Sequence, residues 1–166
     1  MQLISLSKIG SIICFIFNTF INKIPLSFVR NIFLVLWIKK YPIKTNFSKN
    51  IIILNGRKIY VGNSVSLGEG CLLDGRKYSI KIGSHVCIGA FSSILTLGHD
   101  PQSNNFNDMG GDVIIEDFVE IGSKVTILPN IKIGHHSKIL PGSVIIKDIL
   151  PYTLVGGNPC QKIKNL

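Results

Sequence analysis

Residues 115–145 read IEDFVEIGSKVTILPNIKIGHHSKILPGSVI, with isoleucine at 115, 121, 127, 133, 139 and 145, six positions apart each time. A period of six is neither the 2 of a strand nor the 3.6 of a helix. It fits a short strand followed by a turn. Three such units close a triangular coil of about 18 residues, and stacked coils bury the recurring aliphatic side chain while pairing backbone groups with the coil ~4.8 Å away. A sandwich of alternating strands does not hold a six-residue register over consecutive intervals.

The same spacing continues toward the N-terminus at Ile82, Ile88 and Ile94, and again at Val61, Leu67 and Leu73. Four residues after these aliphatics come small or branched residues such as Val65, Cys71, Val86, Ser92, Val119, Val125, Ser137 and Ser143. Glycine follows many of them directly (Gly62, Gly68, Gly83, Gly89, Gly122, Gly134). Glycine there suits a turn with unusual backbone angles or a close approach of neighbouring coils.

The register breaks twice. Leu73 to Ile82 is three residues longer than one unit, and Ile94 to Ile115 is one coil plus three residues. Insertions in such a fold map to surface loops and often carry function. The second break holds TLGHDPQSNNFNDMGGD, residues 96–112, too polar and too rich in Gly and Asn to form a coil wall.

The N-terminal region differs in kind. Ile9, Ile12, Ile13, Ile16, Phe17, Phe20, Ile21 and Ile24 follow helical spacing, with Lys8, Asn18, Asn22 and Lys23 mostly off that stripe. Pro25 should end this helix. A second is expected from Ser27, as N-cap, to Lys39, with Pro42 closing it. Residues 43–58 are expected to be an extended lead-in. The helices read as a cap over the open end of the coil stack. They also suit contact with an anionic bilayer surface, and the two readings are compatible. The division expected is a helical cap and lead-in over 1–56, a repeat region over 57–150 with its loop at 96–112, and a C-terminal tail over 151–166.

Charge follows the same division. The net charge of +9 lies wholly in the first 68 residues, which hold nine Lys and Arg and no Asp or Glu; nine bases and nine acids share the rest. A charged half beside a neutral half suggests an anionic partner. The basic region is rich in Ile and Phe and shows no nucleic-acid module. Asn18, Thr19, Asn22 and Lys23 interrupt the apolar run, leaving it short of the ~20 residues a span needs, and no signal peptide is evident. Cys14, Cys71, Cys87 and Cys160 form no CxxC pair, so a reducing cytosol is the simpler home.

The repeat, the LGHDP of 97–101 and the SVIIKDILPYTLVGGNPCQKIK of 143–164 together resemble the hexapeptide-repeat acyltransferases, over roughly residues 57–164. Within that family the likeness is to the maltose and galactoside acetyltransferases and to the acetyltransferases of capsule, colanic acid and O-antigen synthesis. The resemblance implies an all-β solenoid, a left-handed parallel β-helix preceded by N-terminal α-helices, usually assembled as a homotrimer. It implies acetyl-CoA as co-substrate, no metal, and a sugar or lipid-linked saccharide as acceptor in surface polysaccharide biosynthesis. The expected place is the cytoplasm, with the inner face of the membrane as the site of contact.

Acyl transfer to a hydroxyl needs a base for the proton and donors for the oxyanion. His99, between Gly98 and Asp100 in the polar insertion, matches the family's catalytic histidine. Ser123, Pro141, Ile146, Lys147 and Lys164 match positions that contact CoA in the family, with Lys162 in reserve. The lysines would supply point charges to phosphate. Glu69 and Asp74 are candidates to bind a sugar hydroxyl or orient His99, and Asp100 to order the loop or touch substrate. His85, His135 and His136 fall at turns, and His135 or His136 could alternatively line the CoA groove. The pattern departs from the family at Glu120, where a Trp is common. Other readings are transfer to a free small sugar or to another small hydroxyl or amine acceptor, and a non-enzymatic scaffold. A γ-type carbonic anhydrase would need further histidines in the loop, where only His99 stands and Asn104 lies five residues on.

Overall fold

Three sheets, parallel except at one terminal strand, are built from strands of two to five residues, and the chain visits them in rotation. The computed structural model describes residues 6–24, 26–42, 44–99, 105 and 107–166. The first sheet stacks Ile59–Val61, Ile80–Ile82, Val113–Ile115 and Lys132–Ile133. The second stacks Asn46–Phe47, Ser66–Leu67, Cys87–Ile88, Glu120–Ile121, Lys138–Ile139 and Thr153–Gly156, ending on the antiparallel Gln161–Asn165. The third stacks Ile52–Leu54, Leu72–Asp74, Ser93–Leu95, Thr126–Ile127 and Val144–Ile145. The recurring aliphatics pair in register, Ile121 with Ile88 and Ile139, and Ile127 with Ile94 and Ile145. All of these side chains are buried, so identical faces stack into one continuous apolar core.

The turns separate the two roles foreseen for glycine. Gly122 does not sit at positive φ; a Cβ there would lie 2.5 Å from the backbone nitrogen of Pro141 in the next coil. The left-handed residue comes two positions later and is often not glycine: His85, Phe91, Lys124 and His136 all have φ between 56 and 60°. Glycine is therefore required here for coil-to-coil approach, while larger side chains accept the strained turn position.

Two strands, Asn46–Phe47 and Ile52–Leu54, precede residue 57 and already pair with the sheets, so the expected lead-in is part of the coil stack. Helix α1 (Leu6–Thr19) continues into a 3₁₀ turn at Ile21–Lys23, and α2 spans Ser27–Trp37. Ser27 is not an N-cap: Leu26 holds that position without a side-chain cap, and Ser27 is the first helical residue. The helix ends at Trp37 rather than Lys39 because Ile38 is extended and the Lys39 N–H donates to Gly56 O at 3.2 Å.

The buried face of α1 also differs from the expected stripe. Asn18 and Asn22 point inward, while Ile12, Ile16 and Phe20 are exposed. The reason is the open edge of the first coil, whose backbone groups need partners. Asn18 donates to Ile53 O at 2.9 Å and accepts from Ile53 N at 3.1 Å. Asn22 makes the same two bonds with Ile51, and Arg30 donates to Phe47 O. Phe17, Phe33 and Trp37 pack the two helices together, with ring centroids 5.3–5.9 Å apart.

Candidate active site

Both register breaks leave the third sheet and return to the first, so they lie on one corner of the fold. The long insertion is tied at its base. The buried Thr96 hydroxyl donates to Asp74 O at 2.6 Å, and Gly111 N–H closes back on Thr96 O at 3.1 Å. Beyond this neck, Leu97–His99 pairs antiparallel with Asp108–Gly110, setting His99 opposite Asp108. On the return, Asp112 accepts from Ser79 N–H at 2.8 Å and from Lys81 Nζ at 3.0 Å. These bonds hold the Asp112 carboxyl below its ordinary range, the Ser79 amide contributing most.

His99 therefore stands on a hairpin with a fixed neck. Its imidazole is 64% exposed, with Nδ1 3.8 Å from Asp108 Oδ1. Asp108 Oδ2 is held by Lys77 Nζ at 2.9 Å, and that hydrogen bond and charge depress the carboxyl. Lys77 belongs to the short insertion after Leu73, so the two insertions meet at the histidine. Tyr78 of the same insertion packs against Gly110, where an added Cβ would lie 2.5 Å from the ring.

An open cleft of about 350 Å³ lies beside the hairpin, lined by Met109, Gly110, Pro129, Asn130, Ile146 and Lys147 among others. Gly98 faces it, with Pro129 Cγ 4.0 Å from where a Cβ would stand. Ile146 and Lys147 are thus beside the His99 hairpin on the same corner. Lys147 also lines a smaller cavity of about 180 Å³ with Cys160, Gln161 and Lys162. Lys164 is exposed on the last strand, opposite Leu154.

The remaining candidates lie elsewhere. Ser123 and Pro141 are stacked turn residues between the second and third sheets, on a different corner from His99. Glu69 lies on that same second corner and accepts from Asn50 Nδ2 at 2.8 Å. Asp74 is buried at the end of its strand, its carboxylate engaged at 2.9 Å by both Arg76 Nε and a terminal guanidinium nitrogen. Asp100 lies outside the described residues. Glu120 is exposed and paired with Lys138 at 2.8 Å. His85 and His136 sit on the third corner in a ladder of stacked rings, His85–Phe118–His136–Tyr152, at 4.8–4.9 Å spacing. His135 and His136 line a cavity of about 440 Å³ there, away from His99. Among the described residues no three His, Cys, Asp or Glu side chains group as metal ligands.

Sequence reasoning missed Lys77 and Asp108. Their signal was available: the two insertions follow strands one coil apart in the same sheet, Leu73 and Ile94 being paired.

Residues 112–147 match the family of the bacterial transferase hexapeptide (six repeats). The resemblance to the hexapeptide-repeat acyltransferases thus holds in the repeat, and the likeness to solved structures extends it to nearly the whole chain. A maltose O-acetyltransferase from Clostridium difficile 630 is 29% identical, with a TM-score of 0.82 over 96% of this chain and 85% of that one. A hexapeptide-repeat containing acetyltransferase from Vibrio cholerae O1 biovar eltor, complexed with acetyl coenzyme A, is 24% identical, with a TM-score of 0.84 over 98% of this chain and 90% of that one. A galactoside acetyltransferase in complex with coenzyme A is 22% identical, with a TM-score of 0.80 over 94% and 78% of the two chains. At these last two identities the likeness bears on the fold alone. Sequence comparison with curated proteins finds no match.

Proposed function

We propose that this chain is a left-handed parallel β-helix solenoid that catalyses acetyl-CoA-dependent O-acetylation of a sugar hydroxyl in surface polysaccharide biosynthesis, on the cytoplasmic side of the membrane. The observation that carries the reading is His99, on a hairpin pinned at its neck and flanked by a cleft that contains Ile146 and Lys147. The likeness to a maltose O-acetyltransferase supports the chemistry.

Nδ1 of His99 lies 3.8 Å from Asp108 Oδ1, and in this reading Nε2 is the atom that meets the acceptor. Nε2 takes the proton as the sugar oxygen attacks the thioester carbonyl. The tetrahedral intermediate then collapses, the C–S bond breaks, and the proton passes from the imidazolium to the departing CoA sulfur. In this reading the pantetheine arm follows the cleft, and Lys147, Lys162 and Lys164 meet the phosphates as point charges. Ser123 and Pro141 sit on a different corner from His99, so one chain does not bring all the CoA positions together. That separation supports a homotrimer, in which the His99 corner of one subunit faces the Ser123 corner of the next.

The same maltose-enzyme likeness favours a second reading, transfer to a free small sugar. Thiol release from acetyl-CoA, measured with free mono- and disaccharides and with a lipid-linked saccharide, separates the two. His99→Ala is the control. Equal turnover by wild type and His99→Ala would remove the histidine from the mechanism.

A further inference from the structure

Helices α1 and α2 are apolar on more faces than capping uses. On α1 and the 3₁₀ turn that continues it the covered face runs through Phe17 and Asn22, yet Ile12, Phe15 and Ile16 remain exposed, Phe15 to 63%. On α2 the covered face runs through Arg30, Leu34 and Trp37, while Phe28, Ile32 and Leu36 form a second stripe at helical spacing, Leu36 being 82% exposed. Two adjoining helices with exposed aromatic and aliphatic stripes are not an ordinary water-facing surface. Among the described residues no helix is long and apolar enough to cross a membrane.

Charge selects the occupant. Lys23 lies between the helices, Lys39 and Lys40 follow α2, and Lys44 and Lys49 lie beside the strands of the first coil, all five exposed, and among the described residues none of the five joins an ion pair. A second copy of this face would bring the same cations against them, with no acid in the first 68 residues to offset the repulsion. An anionic bilayer offers both complements, headgroup charge for the lysines and an acyl boundary for the apolar stripes.

A cavity of about 640 Å³ extends this surface toward His99. It lies between α1 and the coils, lined by Gly10, Ser11 and Cys14 on the helix side and by Arg57, Lys58 and Arg76 on the coil side. Arg76 is paired with Asp74 and Lys58 donates to Lys77 O, and among the described residues no acid lines the cavity, so its lining is cationic. It lies on the His99 corner: residues 55–58 and 75–79 connect the third sheet to the first, as the His99 loop does. Lys77, next to Arg76, holds Asp108.

We infer that α1, α2 and the cavity of Arg57, Lys58 and Arg76 form a docking surface for an anionic phospholipid bilayer, with the cavity receiving a headgroup phosphate. The inference goes beyond acetyl transfer, and its readout is binding, so either can fail without the other. If both hold, the acceptor comes to His99 along this corner from the membrane side, while the CoA cleft opens on the C-terminal side.

The test is co-sedimentation of the full chain with vesicles of phosphatidylcholine, alone or mixed with phosphatidylglycerol. Binding to the mixed vesicles is expected, weakened by salt. Phe28→Ser with Leu36→Ser alters exposed positions only and should weaken that binding about tenfold or more. Arg57→Gln with Lys58→Gln should weaken it while Lys138→Gln, outside the surface, does not. Soluble glycerol phosphate should not displace the protein from vesicles; full displacement would identify a free phosphate as the ligand and overturn bilayer docking. Equal binding to neutral and anionic vesicles, or none to either, would overturn it too. So would a Phe28→Ser/Leu36→Ser chain that sediments with vesicles like wild type but changes oligomeric state, since that result assigns the face to another subunit.

Discussion

Asp108 stands across the hairpin from His99, its Oδ1 3.8 Å from the imidazole Nδ1 and its Oδ2 bound by Lys77 at 2.9 Å. Both partners are about half exposed or more, so water competes and the carboxylate orients the ring rather than locking it. His99→Ala should therefore lower kcat by roughly 10²–10⁴-fold, the range for a lost general base. Asp108→Asn should lower it only about fivefold or less, as for an exposed ion pair, with little change in KM for acetyl-CoA. Lys77 keeps Asp108 depressed and hence anionic throughout the neutral range, so Asp108→Asn removes a charged partner at every pH from about 6 to 9. Steady-state kinetics of the two variants across that range check both statements.

Gly122 packs where the chain of the next coil passes. An alanine Cβ would sit 2.5 Å from Pro141 N, a backbone atom that cannot swing aside. The turn carrying Ser123 must then part from the turn carrying Pro141. If those two residues contact CoA, Gly122→Ala should raise KM for acetyl-CoA several-fold and cost about 1–3 kcal/mol in stability. Gly142→Ala makes a useful contrast. Its φ is +72° with open space around the Cβ, so it should cost stability through backbone strain alone.

The parallel sheets were legible because the coils share one rule, a buried aliphatic at each sixth position, interrupted only at the two insertions, and Ile115 to Ile145 obey it without exception. His99 was legible because the loop around it breaks that rule. Its partners were legible only in part: the register puts the insertions after Leu73 and Ile94 on adjacent coils, but the pairing of His99 with Asp108 across a hairpin cannot be read from a polar stretch lacking alternation. The orientation of α1 departs from its apolar stripe for a related reason. Periodicity places apolar residues inward by default, but an uncovered coil edge demands hydrogen-bonding groups, and Asn18 and Asn22 turn the helix to supply them.

That edge leads to a stability prediction. Asn22 is 3% exposed and satisfies both the N–H and the C=O of Ile51. Asn22→Ala leaves both groups without their partner under the helix, where an unsatisfied buried polar group costs about 1–3 kcal/mol. Urea unfolding should show a lower midpoint at unchanged m. Lys138→Gln, which removes an exposed ion pair with Glu120, should shift the midpoint far less.

Asp112 ties acid stability to the His99 loop. Its carboxyl is held low first by the Ser79 amide and then by Lys81, whereas in the unfolded chain it returns to about 4. A carboxyl with a depressed folded value stabilises the fold above its unfolded value, and that contribution disappears as pH falls through the folded value. Glu116 acts in the same direction through Lys132 and the His135 amide. Wild type should therefore lose stability as pH drops below about 4, and Asp112→Asn should lose less over the same interval. The two proteins should differ at pH 7 and converge in strong acid. Urea midpoints at neutral and acid pH decide it, and a gap between them that does not narrow with acid would separate the loop's anchoring from the Asp112 charge.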